Sequence, residues 1–543
     1  MILATLVLLA LAETLRRTHR RLRALWPRLR SAWSELRRDA VVSLRRIPRW
    51  EWLAISIITA LAVVVRWAPL FQPIRYDEAA TWIDYASQPL AQALSDYRFP
   101  NNHLFHTLLV HVSAALFGDS PWALRIPAFV AGVLVVPLVW AVGRALYSQS
   151  AGLISAALAA TSASLTLYST NARGYTMLCC LTLAAALAAV RLPRRENVAG
   201  WTAVVVFAVI GLWTIPIMLY PLAGIALWLW AEARAGDTVI PPSSMAERLR
   251  WTTLAIVVGA TLLYLPVVIR SGLALVVGNR FVRPQSRRSF FAGLPEFYDE
   301  VWSDWVRGWP WWLALLVAIG VVMATVLRGS RARRSVSLAG AAAVAATVLL
   351  LVNGRIPYVR VWLYLLPLTL VAAGGGLVHA WRRIADRATS LQHPNAGRAA
   401  LGAMLILVAA GGASGTISSR VVWRAGDTGT FPSARATANE LLARAQPRDR
   451  VVATAPSDLP LAYYLGASAR GRALLAATPD SAGQIWVVVN DTEGQDVNVL
   501  LRRAEIMISD FSSPRGTWSD EGVRLFVLER QRPGCVLAPQ RCR

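Results

Sequence analysis

The sequence predicts an all-α polytopic membrane protein of about eleven spans, followed by a small α/β domain outside the bilayer. Three observations lead there. Of 543 residues, 55% are hydrophobic and only 16% charged, with a mean hydropathy of +0.45; a soluble chain carries about 25% charged residues. The apolar residues gather into runs close to the roughly 20 needed to cross a bilayer core. The 56 basic residues are all arginine, with no lysine, and they sit between those runs. A net charge of +25 can signal nucleic acid, anionic lipid or membrane topology. The spread over membrane-flanking loops, without a nucleic-acid-binding motif, favours topology and argues against a nucleic-acid partner.

Taken in order, residues 1–12 are apolar but short and lack a preceding positive region, so no cleaved signal peptide is expected. Segment 13–50 holds twelve arginines and three acids. Residues 1–50 therefore read as a cytoplasmic or interfacial segment that favours anionic headgroups. Residues 51–419 form the membrane domain, with spans near 51–70, 122–142, 150–169, 173–191, 199–215, 217–233, 251–270, 309–327, 335–352, 358–380 and 399–419. Pro216 divides the long run 199–233 in two, because an interior proline interrupts the helical ladder. Residues 104–117 are apolar but too short, and read as a helix lying along the outer face.

The loops at 191–198, 328–334 and 381–398 are arginine-rich and belong inside by the positive-inside rule. Eleven spans then place the N-terminus in the cytoplasm and the C-terminus outside. On this topology, 27 of the 56 arginines are on cytoplasmic segments. Loop 71–121 is outside and acidic, with two arginines against five acids. A multi-pass protein of the inner or plasma membrane is implied.

Residues 420–543 form an extracytoplasmic α/β domain. Strands are expected at 451–453, 485–489 and 523–528, and a helix at 434–445. Cys179 and Cys180 lie in a span and read as packing residues; Cys535 and Cys542, in the tail, are free to pair in an oxidising compartment.

The chemistry-bearing residues cluster on the outer segments. Loop 71–121 opens with Arg75-Tyr76-Asp77-Glu78. Such a pair can be the acidic first turn of a surface helix, or can supply a general base for an acceptor hydroxyl. The loop continues through Arg98-Phe99-Pro100-Asn101-Asn102-His103 to Gly118-Asp119-Ser120, and Leu124-Arg125-Ile126-Pro127 opens the next span. Asn171-Ala172-Arg173-Gly174-Tyr175 lies two spans on, and Asn353-Gly354-Arg355-Ile356-Pro357-Tyr358-Val359-Arg360 occupies a later outer turn. Singly these are capped turns and snorkelling arginines. Jointly they place acid, arginine and tyrosine on one face, which suits a lipid-linked phosphate, since arginine pairs with phosphate oxygens through charge-assisted bonds.

At these residues the chain resembles the GT-C fold membrane glycosyltransferases of the family 39 type, the protein mannosyltransferase and aminoarabinose transferase relatives. Over residues 51–195 the family pattern reads here as Asp77-Glu78, Asn101-Asn102-His103-Leu104, Leu124-Arg125-Ile126-Pro127, Gly143-Arg144-Ala145-Leu146 and Ala172-Arg173-Gly174-Tyr175. Arg360 through Pro367 looks like the later Arg-Tyr-x-Leu-Pro segment. Leu104 and Phe105 stand where the family often has prolines, and an arginine must take any role that a lysine has in some members.

The resemblance implies transfer of a sugar from a polyprenyl-phosphate donor to an acceptor hydroxyl on the outer face, with inversion. It implies Asp77 as base and Glu78 as support. Asn102, His103, Arg125, Arg173 and Tyr175 become candidates for holding the loop or the leaving phosphate, with Arg355, Tyr358 and Arg360 as weaker members of the same pocket. The acceptor, whether glycan, lipid or protein, is not specified. No cofactor is implied, and no metal site is assigned, because the six histidines are scattered without ligand spacing; Asp77, Glu78 and Asp119 leave a divalent ion open. Loop 271–308, rich in arginine and aromatics, reads as an interfacial loop or as a lid over the headgroup. Two other functions compete: a flippase or transporter of a lipid-linked sugar, which needs no base, and a non-catalytic assembly protein. Transporters often carry internal repeats, and none is evident.

Overall fold

A computed structural model describes residue 27 and residues 30–236, 238–278, 285–326, 336–386, 394–478 and 482–531. The apolar segment 1–12, loop 328–334 and the Cys535/Cys542 pair lie outside the described residues.

Each of the eleven expected runs coincides with helix. Among the described residues, five helices are long and apolar enough by length and composition to cross a membrane: Arg49–Leu70, Pro121–Leu146, Pro216–Ala235, Pro242–Ser271 and Gly397–Arg424. The number rises to seven if each of two bent pairs is one span. One pair, Gln149–Thr161 with Ala163–Ser169, is bent by 61°. The bend is written in the sequence by Ser162. Its extended backbone ends the first helix, and its hydroxyl caps the second by accepting from the Leu165 N–H at 3.3 Å. Tyr175–Arg191, Val198–Thr214 and Leu338–Asn353 are apolar but shorter.

Helix Gln149–Thr161 is buried along its whole length from Ala151 to Thr161 and forms the centre of the bundle. Pro121–Leu146, Leu365–Ala385 and Arg49–Leu70 pack round it. Arg66 of Arg49–Leu70 is fully buried without a carboxylate; it donates to the Ala159 and Ala160 carbonyls at 3.3 and 2.7 Å and to Ser169 Oγ at 3.2 Å. Those carbonyls are the ones the break leaves open, so the buried guanidinium satisfies backbone that a bilayer could not. Pro242–Ser271, by contrast, buries only 11% of its most apolar window and presents apolar residues such as Val257, Leu262 and Ile269 outward.

Segment 271–308, expected as an interfacial loop or a lid, contains regular structure. Within it, Arg287–Val306 is a 20-residue helix followed, through a 115° bend, by Trp311–Val326. It is packed rather than free: Phe297 and Tyr298 stand edge-on to Trp362, with ring centres 5.0 and 5.4 Å away. Period-3.6 placement of Phe290, Phe297 and Val301 on one face explains the helix. Residues 104–117 form a 14-residue helix, Leu104–Phe117.

The tail carries a four-stranded sheet in the order β1-β2-β4-β3, with β1 Arg450–Val452, β2 Gln484–Asn490, β3 Arg515–Asp520 and β4 Val523–Glu529. β1 pairs parallel to β2, and β4 pairs antiparallel to both β2 and β3. The first, second and fourth strands fall where the sequence places them. β3 escapes because Arg-Gly-Thr-Trp-Ser-Asp is polar; it is an edge strand with a register irregularity between Gly516 and Trp518. The expected helix is Ala434–Arg444.

Among the described residues, the arginine-rich segment before the first span, loop 191–198 and the start of helix Pro242–Ser271 lie together. Arg195 pairs with Asp39 at 2.6 Å, Arg248 pairs with Glu196 at 2.6 Å, and Asn197 Nδ2 donates to the Ala32 carbonyl at 3.3 Å. The tail is tied instead to loop 71–121. The Tyr76 N–H donates to the Gly429 carbonyl at 2.9 Å, and the Ile74 N–H donates to Tyr464 Oη at 2.9 Å.

Candidate active site

Four separated segments meet beneath the tail. The first is a short helix, Tyr76–Thr81, at the exit of the first span. Its two acids diverge. Glu78 is 1% exposed and caps its own helix by accepting from the Arg75 N–H at 2.8 Å. It also accepts from the Ala172 N–H at 2.7 Å and takes two bonds from Arg125, at 2.7 and 2.6 Å. Burial alone would push its carboxyl up, but the Arg125 guanidinium, with Arg75 beside it, holds it below the usual carboxylate range.

Arg125 completes this clamp. Its remaining N–H groups reach the carbonyls of Leu70, Gln72 and Pro73 at 2.7–2.8 Å. All five guanidinium donors are thereby taken by protein, leaving none for a phosphate. Asn102 is likewise occupied. Its amide donates to Ala93 and Asp96 carbonyls at 2.8 Å each, and its oxygen accepts from Thr107 Oγ1 at 2.8 Å.

Asp77 faces the other way. It is partly exposed and lies 3.4 Å from Arg360 Nη1, which arrives on the one-turn segment Val359–Trp362. That guanidinium also sits over the Tyr358 ring at 4.7 Å, while Tyr358 itself is exposed. Arg355 is half-buried in the turn before it. The turn thus brings Arg360, with Tyr358 against it, to Asp77 of loop 71–121, whereas no contact ties Arg355 to Asp77.

Arg173 and His103 form the floor. Arg173 is 2% exposed and donates through Nη1 to Thr81 Oγ1 and the Asn101 carbonyl, both at 3.1 Å. Its Nε has no hydrogen-bond partner among the described residues. Its Nη2 lies 3.4 Å from His103 Nε2. His103 Nδ1 accepts from the Gly174 N–H at 2.9 Å, so the neutral ring carries its proton on Nε2. Burial, then Arg173, His106 and Arg360 in turn, pull its pKa well below the ordinary 6.5. Two N–H donors therefore face each other with no acceptor between them. Tyr175 stands edge-on to His103 at 5.2 Å and 5.9 Å below Arg173. Gly174 allows this approach: a Cβ there would lie 2.8 Å from Thr214 Cγ2 and 3.1 Å from His103 Nδ1.

Two neighbours were not singled out in the sequence. His106 is fully buried, one helical turn beyond His103, with no hydrogen-bond partner for either ring nitrogen among the described residues. The i,i+3 spacing from His103 was the available signal. Asp458 belongs to the tail; together with Asp77 and Asp84, and after burial, it raises the pKa of Tyr76. Nothing local in the sequence tied it to residue 76. Among the described residues, no three His, Cys, Asp or Glu side chains are grouped to hold a metal ion.

Residues 102–268 match the family model described as dolichyl-phosphate-mannose-protein mannosyltransferase. No curated protein sequence matches significantly. Among solved structures, the chain is similar to ArnT from Cupriavidus metallidurans, apo, with 14% identity and a TM-score of 0.58 over 87% of this chain and 97% of that one. ArnT bound to undecaprenyl phosphate matches with 14% identity and a TM-score of 0.58, over 88% and 98% of the two chains. The archaeal oligosaccharyltransferase AglB from Archaeoglobus fulgidus, in complex with an inhibitory peptide and a dolichol-phosphate, matches with 10% identity and a TM-score of 0.50, over 88% and 74%. The helical bundle with its small sheet-bearing tail thus has the GT-C fold that it shares with ArnT and AglB, and residues 102–268 within it carry the match to the mannosyltransferase family model.

Proposed function

We propose that the protein is a membrane glycosyltransferase that moves a sugar from a polyprenyl-phosphate donor to an acceptor hydroxyl, outside the cytoplasmic membrane. The observation that carries this reading is the arrangement of one outward carboxylate, Asp77, paired with Arg360 above a floor of N–H donors from His103 and Arg173, of which Arg173 Nε has no partner among the described residues. A flippase needs an anion site but no such base. The family match and the lipid-phosphate ligands of the ArnT and AglB structures favour the same chemistry.

In this mechanism Asp77 accepts the proton of the acceptor hydroxyl as its oxygen attacks the anomeric carbon. The bond from that carbon to the phosphate oxygen breaks, and the electron pair leaves with the polyprenyl phosphate, inverting the centre. Arg360 orients Asp77 and faces the leaving group. The His103 Nε2–H and Arg173 supply donors where negative charge builds, in a buried setting where such donors act strongly. Burial and the neighbouring arginines keep His103 neutral, so that its tautomer is set by Gly174 rather than by pH. Glu78 and Arg125 hold the loop.

The test is turnover of the purified protein with a panel of polyprenyl-phosphate sugars. Asp77→Asn should keep donor binding and lose at least ~100-fold in transfer, the range of general-base catalysis. Full transfer in that variant would sink the assignment of the base.

A further inference from the structure

A second cleft, of about 790 Å³, opens between loop 71–121 and the tail. None of Asp77, His103, Arg173 or Arg360 lines it. Its volume is in the range of ligand pockets, roughly 300–1,000 Å³. Three aromatic side chains form its walls: Trp82 from the π-helical turn after Thr81, Trp122 from the start of helix Pro121–Leu146, and Tyr463 from the tail helix Asp458–Gly466. Each is half-buried, so part of each ring is presented to the cleft. Gln72, Gln88 and Arg435 add polar groups. Gln72 is 2% exposed, and its amide nitrogen has no partner among the described residues, while its oxygen is held by Arg75 Nη2 at 2.8 Å. That nitrogen is shielded from the cleft, so the accessible polar groups of the wall are those of Gln88 and Arg435.

Flat aromatic faces beside a few polar groups match one ligand chemistry well. A pyranose has apolar C–H faces that stack on such rings and a rim of hydroxyls that needs donors and acceptors. The formal charges at the cleft, Arg435 and Asp119, are of opposite sign, which suits a neutral ligand rather than an anionic one. We propose that this cleft is a carbohydrate subsite that binds a neutral pyranose unit of the acceptor glycan. Its assignment to the acceptor rests on the transfer reading above; its binding of saccharide does not. The tail supplies one wall, so the site exists only while the tail is docked, which gives the outer domain a part in choosing the acceptor.

The experiment is titration of the full-length, detergent-purified protein with cellobiose, α-1,6-mannobiose and maltotriose. Tryptophan fluorescence and saturation-transfer NMR give the readout, with thermal midpoints recorded to confirm folding. Saturable binding of at least one saccharide is expected. It should weaken ~10-fold in Trp122→Leu, the loss of one stacking partner, and weaken also in the exposed-site variant Arg435→Ala. Asp77→Asn should bind normally. Absence of binding to all three, or binding indifferent to both cleft variants, overturns the subsite; so does displacement of bound saccharide by phosphatidylglycerol nanodiscs, which would identify a lipid headgroup site. Saccharide binding without any sugar transfer would instead remove the transfer reading and leave the subsite standing.

Discussion

Asp77 and Glu78 are neighbours in sequence and opposites in chemistry. One helical step turns Glu78 into the interior, where Arg125 and the backbone N–H groups of Arg75 and Ala172 converge on it, and leaves Asp77 at the mouth with a long ion pair to Arg360 at 3.4 Å. Removing one partner of a buried ion pair costs about 3–5 kcal/mol, so Glu78→Gln should lower the unfolding midpoint sharply. The pH dependence has a definite sign. Glu78 is held below its ordinary 4.5 in the folded state, so its contribution is complete above that value. It disappears as the pH falls through the lower folded value. Wild type should therefore lose more thermal stability than Glu78→Gln between pH 6 and pH 3, as measured by a dye-free melting assay. An equal loss in both would show that Glu78 does not govern this range. The same scale separates the arginines that the motif lumps together: Arg125 spends every donor on protein, whereas Arg173 Nε is unsatisfied among the described residues.

At the scale of elements, the short helix Tyr76–Thr81 is too brief to hold itself in place, since isolated helices of that length are unstable in water. It is positioned from two sides. Beneath, Arg125 ties it to helix Pro121–Leu146. Above, the tail grips it: Arg75 donates to the Val422 carbonyl at 2.8 Å, Tyr76 to Gly429, and Ile74 to Tyr464. Gly429 has φ +66°, and a Cβ there would lie 2.4 Å from Tyr76 Cβ. Gly429→Val should therefore push the tail away from the helix. The expected result is a fall of at least ~10-fold in transfer, about 1.4 kcal/mol in the barrier, with faster proteolysis between the membrane domain and the tail. Unchanged activity would mean that the tail does not position Asp77.

For the whole molecule, the described arginine-rich segments before Arg49 and at 191–198 lie by the start of helix Arg49–Leu70, and the tail lies beyond its other end. The contacts of Arg195 with Asp39 and Arg248 with Glu196 gather the basic loops at one end. The ties of Gly429 and Tyr464 to loop 71–121 gather the acidic loop and the tail at the other. The positive-inside rule then predicts which end faces the cytoplasm. In a background with Cys535→Ser and Cys542→Ser, Ser87→Cys should react in intact cells with an impermeant maleimide. Ser148→Cys should react only after permeabilisation. The reverse pattern would invert the topology and move the proposed chemistry to the cytoplasmic side.

The sequence by itself determined the helical membrane class, the position of each apolar run and most of the tail's strands, because these follow from composition and local periodicity. It also named Asp77, His103, Arg173 and Arg360, whose residue types and spacing carry the family motif. Only the family resemblance distinguished Asp77 from Glu78, and nothing in the sequence separated Arg125 from Arg173, because a role as clamp or as free donor depends on which carbonyls and carboxylates arrive from other segments. Loop 271–308 was read as an interfacial loop or a lid, and its polar and aromatic mixture did not reveal the helix Arg287–Val306 within it. His106 and Asp458 could be placed at the site only by the tertiary structure, the one by burial and the other by docking of a domain more than 350 residues downstream. The aromatic cleft is likewise a product of docking, since its walls come from segments that share no local pattern.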